Sequence, residues 1–216
     1  DLIKTKSNVV FDVKGTTHPP NRIIAFPRFI PSATGTRHGK DADYGKVYNL
    51  DERFQYLKQN QPELIVYDEV FGETLCEVPV EQIVEHYQPT KKLAALRTQK
   101  SLTPLENKAL QLTIRLKEKA NIPWDAVGIS GSIMAGLTTE TSDIDPLVYG
   151  VENSRKAYKA LQELREEANS GFKAYTQTEL KTLYDFRVKD THMNFEDFLK
   201  VESRKAFQGM FMGTDY

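Results

Sequence analysis

Asp143 and Asp145 flank Ile144, and ten residues separate this trio from the run Ser130-Gly131-Ser132. In an extended segment the side chains at i and i+2 point to one face, so the two carboxylates would stand side by side. Charges that close repel, at a cost in stability, unless a cation lies between them. Hard oxygen ligands favour Mg2+ or Mn2+ over a soft metal. Upstream, Gly131 lets a ligand approach the backbone. Ser132 opens a short predicted helix through Ile133-Met134-Ala135, whose first N–H groups suit a phosphate. A phosphate pocket facing a divalent-ion site fits phosphoryl or nucleotidyl transfer. With two ions roughly 4 Å apart, one would activate an attacking hydroxyl and the other would steady the pyrophosphate leaving a nucleoside triphosphate. Catalysis would come mostly from position and charge. An Asp-x-Asp alone also fits a surface turn, or a glycosyltransferase holding a metal and a sugar nucleotide. Gly-Ser alone is an ordinary strand-to-helix turn. The spacing between the two halves is what favours nucleotide chemistry.

These residues need strands and helices to hold them. Thr103-Pro104-Leu105-Glu106 starts a helix, with Thr as N-cap, Pro at the first position and Glu placed to close a capping box. Leu105, Ala109, Leu112, Leu116 and Ala120 then recur at helical spacing and give one buried stripe. Ala126 to Ile129 reads as a strand, and Asp143 to Tyr149 as a second. Pro146 lacks an N–H, so that second strand must be an edge or bulged. Glu152 to Ala168 is helical and Phe172 to Tyr175 a strand, while Asn194 caps a last helix through Phe195, Phe198, Leu199 and Phe207. Ahead of these, the prolines of Arg22 to Pro31 restrict any strand there to an edge, and Ser32 to Gly45 reads as a long loop. Asp51 to Asn60 is predicted helical, Leu64 to Tyr67 and Thr74 to Val78 as strands, and Val80 to Tyr87 as a short helix. The expected organisation is α+β: a small accessory domain over 1–97, then residues 98–216 as a mixed sheet flanked by helices.

Composition agrees with a folded chain. The 216 residues are 39% apolar and 27% charged, which excludes a disordered protein. No apolar run reaches the roughly 18 residues of a membrane span. The net charge of −1 gives no global attraction for nucleic acid or membrane. One segment departs from this balance: Lys91, Lys92, Arg97, Lys100, Lys108, Arg115, Lys117 and Lys119 stand against only Glu106 and Glu118. That stripe is either a solvated helix face or a source of positive potential near the site. A single cysteine, Cys76, fits a reducing compartment, so a cytoplasmic location is expected, although the chain opens on Asp1 and a targeting segment ahead of it is allowed. His18, His38, His86 and His192 show no ligand spacing and are expected to be structural.

The run Ser130-Gly131-Ser132 followed by Ser142-Asp143-Ile144-Asp145 resembles the signature of the DNA polymerase β-like nucleotidyltransferase superfamily. With His18-Pro19-Pro20 and Ala25-Phe26-Pro27-Arg28, the chain is similar to archaeal nucleotidyltransferases that carry an N-terminal accessory domain. The resemblance implies that Ser130, Gly131, Ser132 and Ser142 bind nucleotide, and that Asp143 and Asp145 bind Mg2+ or Mn2+. It further implies transfer of a nucleoside monophosphate from an NTP to a hydroxyl acceptor, such as RNA. The superfamily usually has a third carboxylate on a later strand. Asp215 is nominated, with Glu179 and Asp185 behind it. If that later strand is trimmed at the C-terminal end, the chain would be an inactive nucleotide-binding or regulatory module. A further reading is an RNA- or DNA-binding protein using the N-terminal domain, where Arg28, Arg37, His38, Lys40 and Lys46 stand near Phe29, Tyr44 and Tyr48.

Overall fold

The computed structural model describes residues 1–188 and 192–216. It divides into two compact units, one of residues 1–88 with 135–139 and one of residues 89–134 with 140–216. The α+β class expected from the sequence holds, with seven α-helices among the described residues. None of these helices is long and apolar enough to cross a membrane.

The first unit is built on an eight-stranded antiparallel sheet. Its elements are β1 (Leu2–Thr5), β2 (Val10–Val13), β3 (Arg22–Pro31), β4 (Arg37–His38), β5 (Asp43–Lys46), helix α1 (Leu50–Asn60), β6 (Ile65–Asp68), β7 (Glu73–Pro79) and β8 (Ile83–Tyr87). The strand order is β4-β5-β3-β2-β1-β8, and β7 pairs with both β3 and β6. Three sequence expectations are corrected here. The prolines do not confine β3 to an edge, since it pairs with β2, β5 and β7. Pro27 stands opposite Phe11 beside a register shift, and Pro31 ends the strand, positions where a missing N–H is tolerated. Residues 32–45 are not one loop, because they contain β4 and the start of β5. A Cβ on Gly35 would fall 2.4 Å from the Tyr44 carbonyl carbon, so the glycine lets the two segments close. Val80 to Tyr87 is not a helix. A 3-10 turn over Val80–Gln82 leads into β8, which pairs with β1 at the other end of the unit's sequence. Helix α1 forms as expected but starts one residue earlier, at Leu50, with Asn49 Oδ1 accepting the Glu52 N–H at 2.7 Å, and it buries Leu57 among Ile3, Phe11, Phe26 and Val78.

Helices supply most of the second unit's core. Its elements are α2 (Pro89–Thr98), α3 (Pro104–Ala120), β9 (Val127–Ile129), α4 (Gly131–Ala135), β10 (Pro146–Val148), α5 (Val151–Glu166), β11 (Phe172–Lys173), α6 (Gln177–Arg187), α7 (Phe195–Glu202), β12 (Met210–Phe211) and β13 (Thr214–Asp215). The capping box of α3 forms as read: Thr103 Oγ1 accepts the Glu106 N–H, and Glu106 Oε2 accepts the Thr103 N–H. Ala109, Leu112, Leu116 and Ala120 are buried with Leu93 and Leu96 of α2 and Ala157, Ala160, Leu161 and Leu164 of α5. Each buried leucine contributes about 1.5–3 kcal/mol. Helix α2 lies against β9 so closely that a Cβ on Gly128 would fall 2.5 Å from Pro89 Cβ. Strand β10 pairs antiparallel with β9, and β11, β12 and β13 form a three-stranded antiparallel group. The predicted strand over 143–149 is paired only at Pro146–Val148, with Pro146 at the first position, where it withholds no regular ladder bond. Helix α7 ends at Glu202, so Phe207 lies outside it and instead meets the Tyr158 ring at 5.2 Å.

Candidate active site

The candidate residues fall within, or just beside, short elements of the second unit. Strand β9 delivers Ser130, whose N–H donates to the Asp145 carbonyl at 2.8 Å. This bond ties the Gly-Ser turn to the Asp-x-Asp segment, two stretches that are distant in sequence. Gly131 follows at φ +61, in the left-handed region that favours glycine. An ideal Cβ there would fall 1.8 Å from Asp145 Oδ2, so the Asp145 carboxylate occupies the space that a side chain at 131 would fill.

Helix α4 then buries Ser132, Ile133 and Met134. Ser132 is 2% exposed and its Oγ has no hydrogen-bond partner among the described residues. A buried hydroxyl left unpaired costs free energy, and a polar ligand would recover it. Ile144 is 1% exposed and sits in the core, while Asp143 and Asp145 on either side are half-buried. The alternation expected of an extended segment therefore holds, although neither aspartate lies within a paired strand. Ser142, next to them, is buried.

Asp215 approaches from the C-terminal strand group. Its carbonyl accepts the Ile144 N–H at 2.9 Å, joining the β9–β10 pair to the three-stranded group. Tyr216 packs on Phe172 in the core and Thr214 pairs with buried Phe211, so strand alternation turns Asp215 to the opposite face. The Asp215 carboxylate accepts from the Tyr175 hydroxyl at 2.7 Å. Burial, and then this bond to Asp215, push the Tyr175 hydroxyl pKa well up. Among the described residues no group of three or more His, Cys, Asp or Glu is placed to hold a metal ion. Asp143 and Asp145 thus offer a pair of carboxylates and no larger cage. Glu179 is taken up elsewhere, closing the capping box of α6 with Thr176, and Asp185 pairs with Lys181.

Of three further residues in this neighbourhood, Lys108 belongs to the basic stripe, and Tyr175 and Arg165 carry no sequence signal. Tyr175 is 40 residues from the carboxylate that it holds. Lys108 donates to Thr214 Oγ1 at 2.8 Å, beside Asp215. Arg165 donates to the Lys205 and Ala206 carbonyls at 2.9 and 2.8 Å and to the Tyr216 hydroxyl at 3.2 Å, fixing the segment that ends in Asp215. The rest of the basic stripe is largely committed to packing. Lys92 pairs with Glu106, Arg97 stacks 3.8 Å from the Trp124 ring centre, Arg115 binds the Ser170 carbonyl, and Lys119 pairs with Glu163 and Glu167. Three of the four histidines bond within the first unit: His18 to the Ile24 N–H, His38 to Asp43 and His86 to Asp1.

Residues 111–208 match the nucleotidyltransferase domain family. The match covers the Gly-Ser turn and the Asp-x-Asp segment and stops short of Asp215. Across 99% of its length the chain is also 27% identical to an uncharacterized protein of the archaeon Methanocaldococcus jannaschii, and it spans 65% of that relative. No solved structure matches the chain.

Proposed function

We propose that the second unit transfers a nucleoside monophosphate from an NTP to a hydroxyl acceptor, such as an RNA end, with Mg2+ or Mn2+ held by Asp143 and Asp145. The reading is carried by the Asp145 carboxylate lying over Gly131, which brings both halves of the motif to one point. The donor set suits the metal, because Mg2+ is commonly bound by one or two carboxylates with substrate phosphates and water completing its shell. When bound, the ion neutralises charge on the triphosphate and on the attacking oxygen. The chain's residues do the remainder. Gly131 makes room for the Asp145 carboxylate beside the turn, and Ser132 Oγ gains a phosphate oxygen as its partner. Ser130 and Ser142 are assigned to the nucleotide as well. The acceptor oxygen forms a bond to the α-phosphorus as the bond to the β-phosphate oxygen breaks, and pyrophosphate leaves. Asp215 takes the hydroxyl proton, with Tyr175 as the residue that positions its carboxylate.

The test is incubation of the full chain with each labelled NTP and Mg2+ or Mn2+, with and without cellular RNA, followed by mass spectrometry of the products. The reading predicts a monophosphate added to an acceptor and release of pyrophosphate. Metal-dependent NTP binding with no transfer to any acceptor would instead assign a nucleotide-binding module, and neither binding nor transfer would overturn both.

A further inference from the structure

Away from this site, the backbone at Val47 and Tyr48 in the first unit gathers three cationic side chains. Arg28 of β3 donates to the Val47 carbonyl at 3.4 Å, and its guanidinium lies 5.5 Å from the centre of the Tyr48 ring. Lys46 Nζ lies 5.0 Å from the same ring. Arg53 of α1 donates to the Tyr48 carbonyl at 3.2 Å. Two successive carbonyls thus each hold one guanidinium, while Tyr48 itself is 49% exposed.

Two of these cations, Arg28 and Arg53, are short of negative charge among the described residues. Arg53 is 8% exposed, and its Nε is buried with no hydrogen-bond partner among the described residues. Burial, and then the charge of Arg28, hold the Arg53 guanidinium below its usual pKa. Asp12 is the acid that acts on Arg53, but its carboxylate is paired with Lys14 at 2.5 Å. Neither Arg28 nor Arg53 forms an ion pair among the described residues. A guanidinium presents a fork of donors that matches an oxyanion with several acceptor oxygens, and phosphate is the common case. An exposed aromatic ring beside cations is also what a base or sugar attached to that phosphate would meet. Of the basic loop residues expected at such a surface, Arg37 is buried and bound to the Leu137 carbonyl, and Tyr44 is buried as well, so neither belongs to this cluster.

We propose that Arg28, Lys46 and Arg53 form a phosphate-binding site on the first unit, with Tyr48 beside it to contact the nucleotide or polynucleotide that carries the phosphate. This site is independent of the Asp143–Asp145 reading. The test is fluorescence anisotropy of the full chain with a short labelled single-stranded RNA, in EDTA so that no metal-dependent site contributes, with AMP and inorganic phosphate as competitors. We expect Arg28→Gln and Lys46→Gln each to weaken binding about tenfold, with affinity falling as salt rises. Lys58→Gln, in the last turn of α1, serves as the control and should bind as the wild type does. The competitor acting at the lowest concentration distinguishes a polynucleotide, a nucleotide or free phosphate as the source, and each of these with Arg28 dependence supports the site. If Arg28→Gln does not fold, Lys46→Gln decides. Failure of all three probes to bind, or equal binding by the folded variants, would overturn the proposal.

Discussion

Glu77 in the first unit and Glu202 in the second are both buried, yet their carboxyls are driven in opposite directions. Burial, and then the charge of Asp68, push the Glu77 pKa up against Arg22 at 3.8 Å. Burial also acts on Glu202, but the Lys205 ammonium at 2.6 Å, the Gln208 amide at 2.8 Å and Arg187 hold it below the usual range. The difference follows from architecture. In the first unit long strands carry the core, so a polar side chain on the inner side of the sheet meets whatever the neighbouring strand places there. In the second unit helices carry the core, and strands of two or three residues leave their ends available. Asp145 immediately precedes β10, and Asp215 is the last residue of β13.

The largest effect expected from this comparison is on stability. Leu57 and Leu112 are both fully buried, one in each core. Leu112→Ala should destabilise the second unit by about 2–5 kcal/mol, read by the fluorescence of Trp124, the protein's single tryptophan. Leu57→Ala should leave that transition near the wild type, and an equal shift would show that the two cores unfold as one. Next, Gly131→Ala places a Cβ against Asp145 at a positive φ and should cost about 1–3 kcal/mol. It should also abolish triphosphate binding, measured by nucleotide titration.

The glutamates give smaller effects of opposite sign. The Glu77 contribution is fully present below its unfolded pKa, near 4.5, and is lost as pH rises through the higher folded value. That of Glu202 is present above the unfolded value and is lost as pH falls through the lower folded one. Denaturant titrations should therefore show Glu77→Gln flattening the decline that sets in above about pH 4.5 and Glu202→Gln flattening the loss below it. Least perturbing is Cys76, whose thiol is pushed up to about 12 by burial and then by Glu77. It should resist a thiol reagent at neutral pH and react only once the protein is unfolded.

Much of the second unit was legible in the sequence because its signals are local. The capping box of Thr103, the helical stripe through Leu112 and the cap at Asn194 each depend on residues within a turn or two. The alternation of Asp143, Ile144 and Asp145 also reads directly, since one buried apolar residue between two acids has a single sensible orientation. What failed depends on distant partners. Strand β8 is held by pairing with β1, and β3 tolerates Pro27 only because the register shifts opposite it. The closing of residues 32–45 rests on Gly35 meeting Tyr44. Around the candidate site, Tyr175, Lys108 and Arg165 act across folds of the chain that no spacing announces.

The most direct measurement is the rate of NTP-dependent transfer by Asp143→Asn and Asp145→Asn, each verified as folded by circular dichroism and set beside Glu77→Gln. The account predicts that each aspartate variant loses about 100-fold or more while Glu77→Gln keeps the wild-type rate. Wild-type rates in both aspartate variants would contradict it.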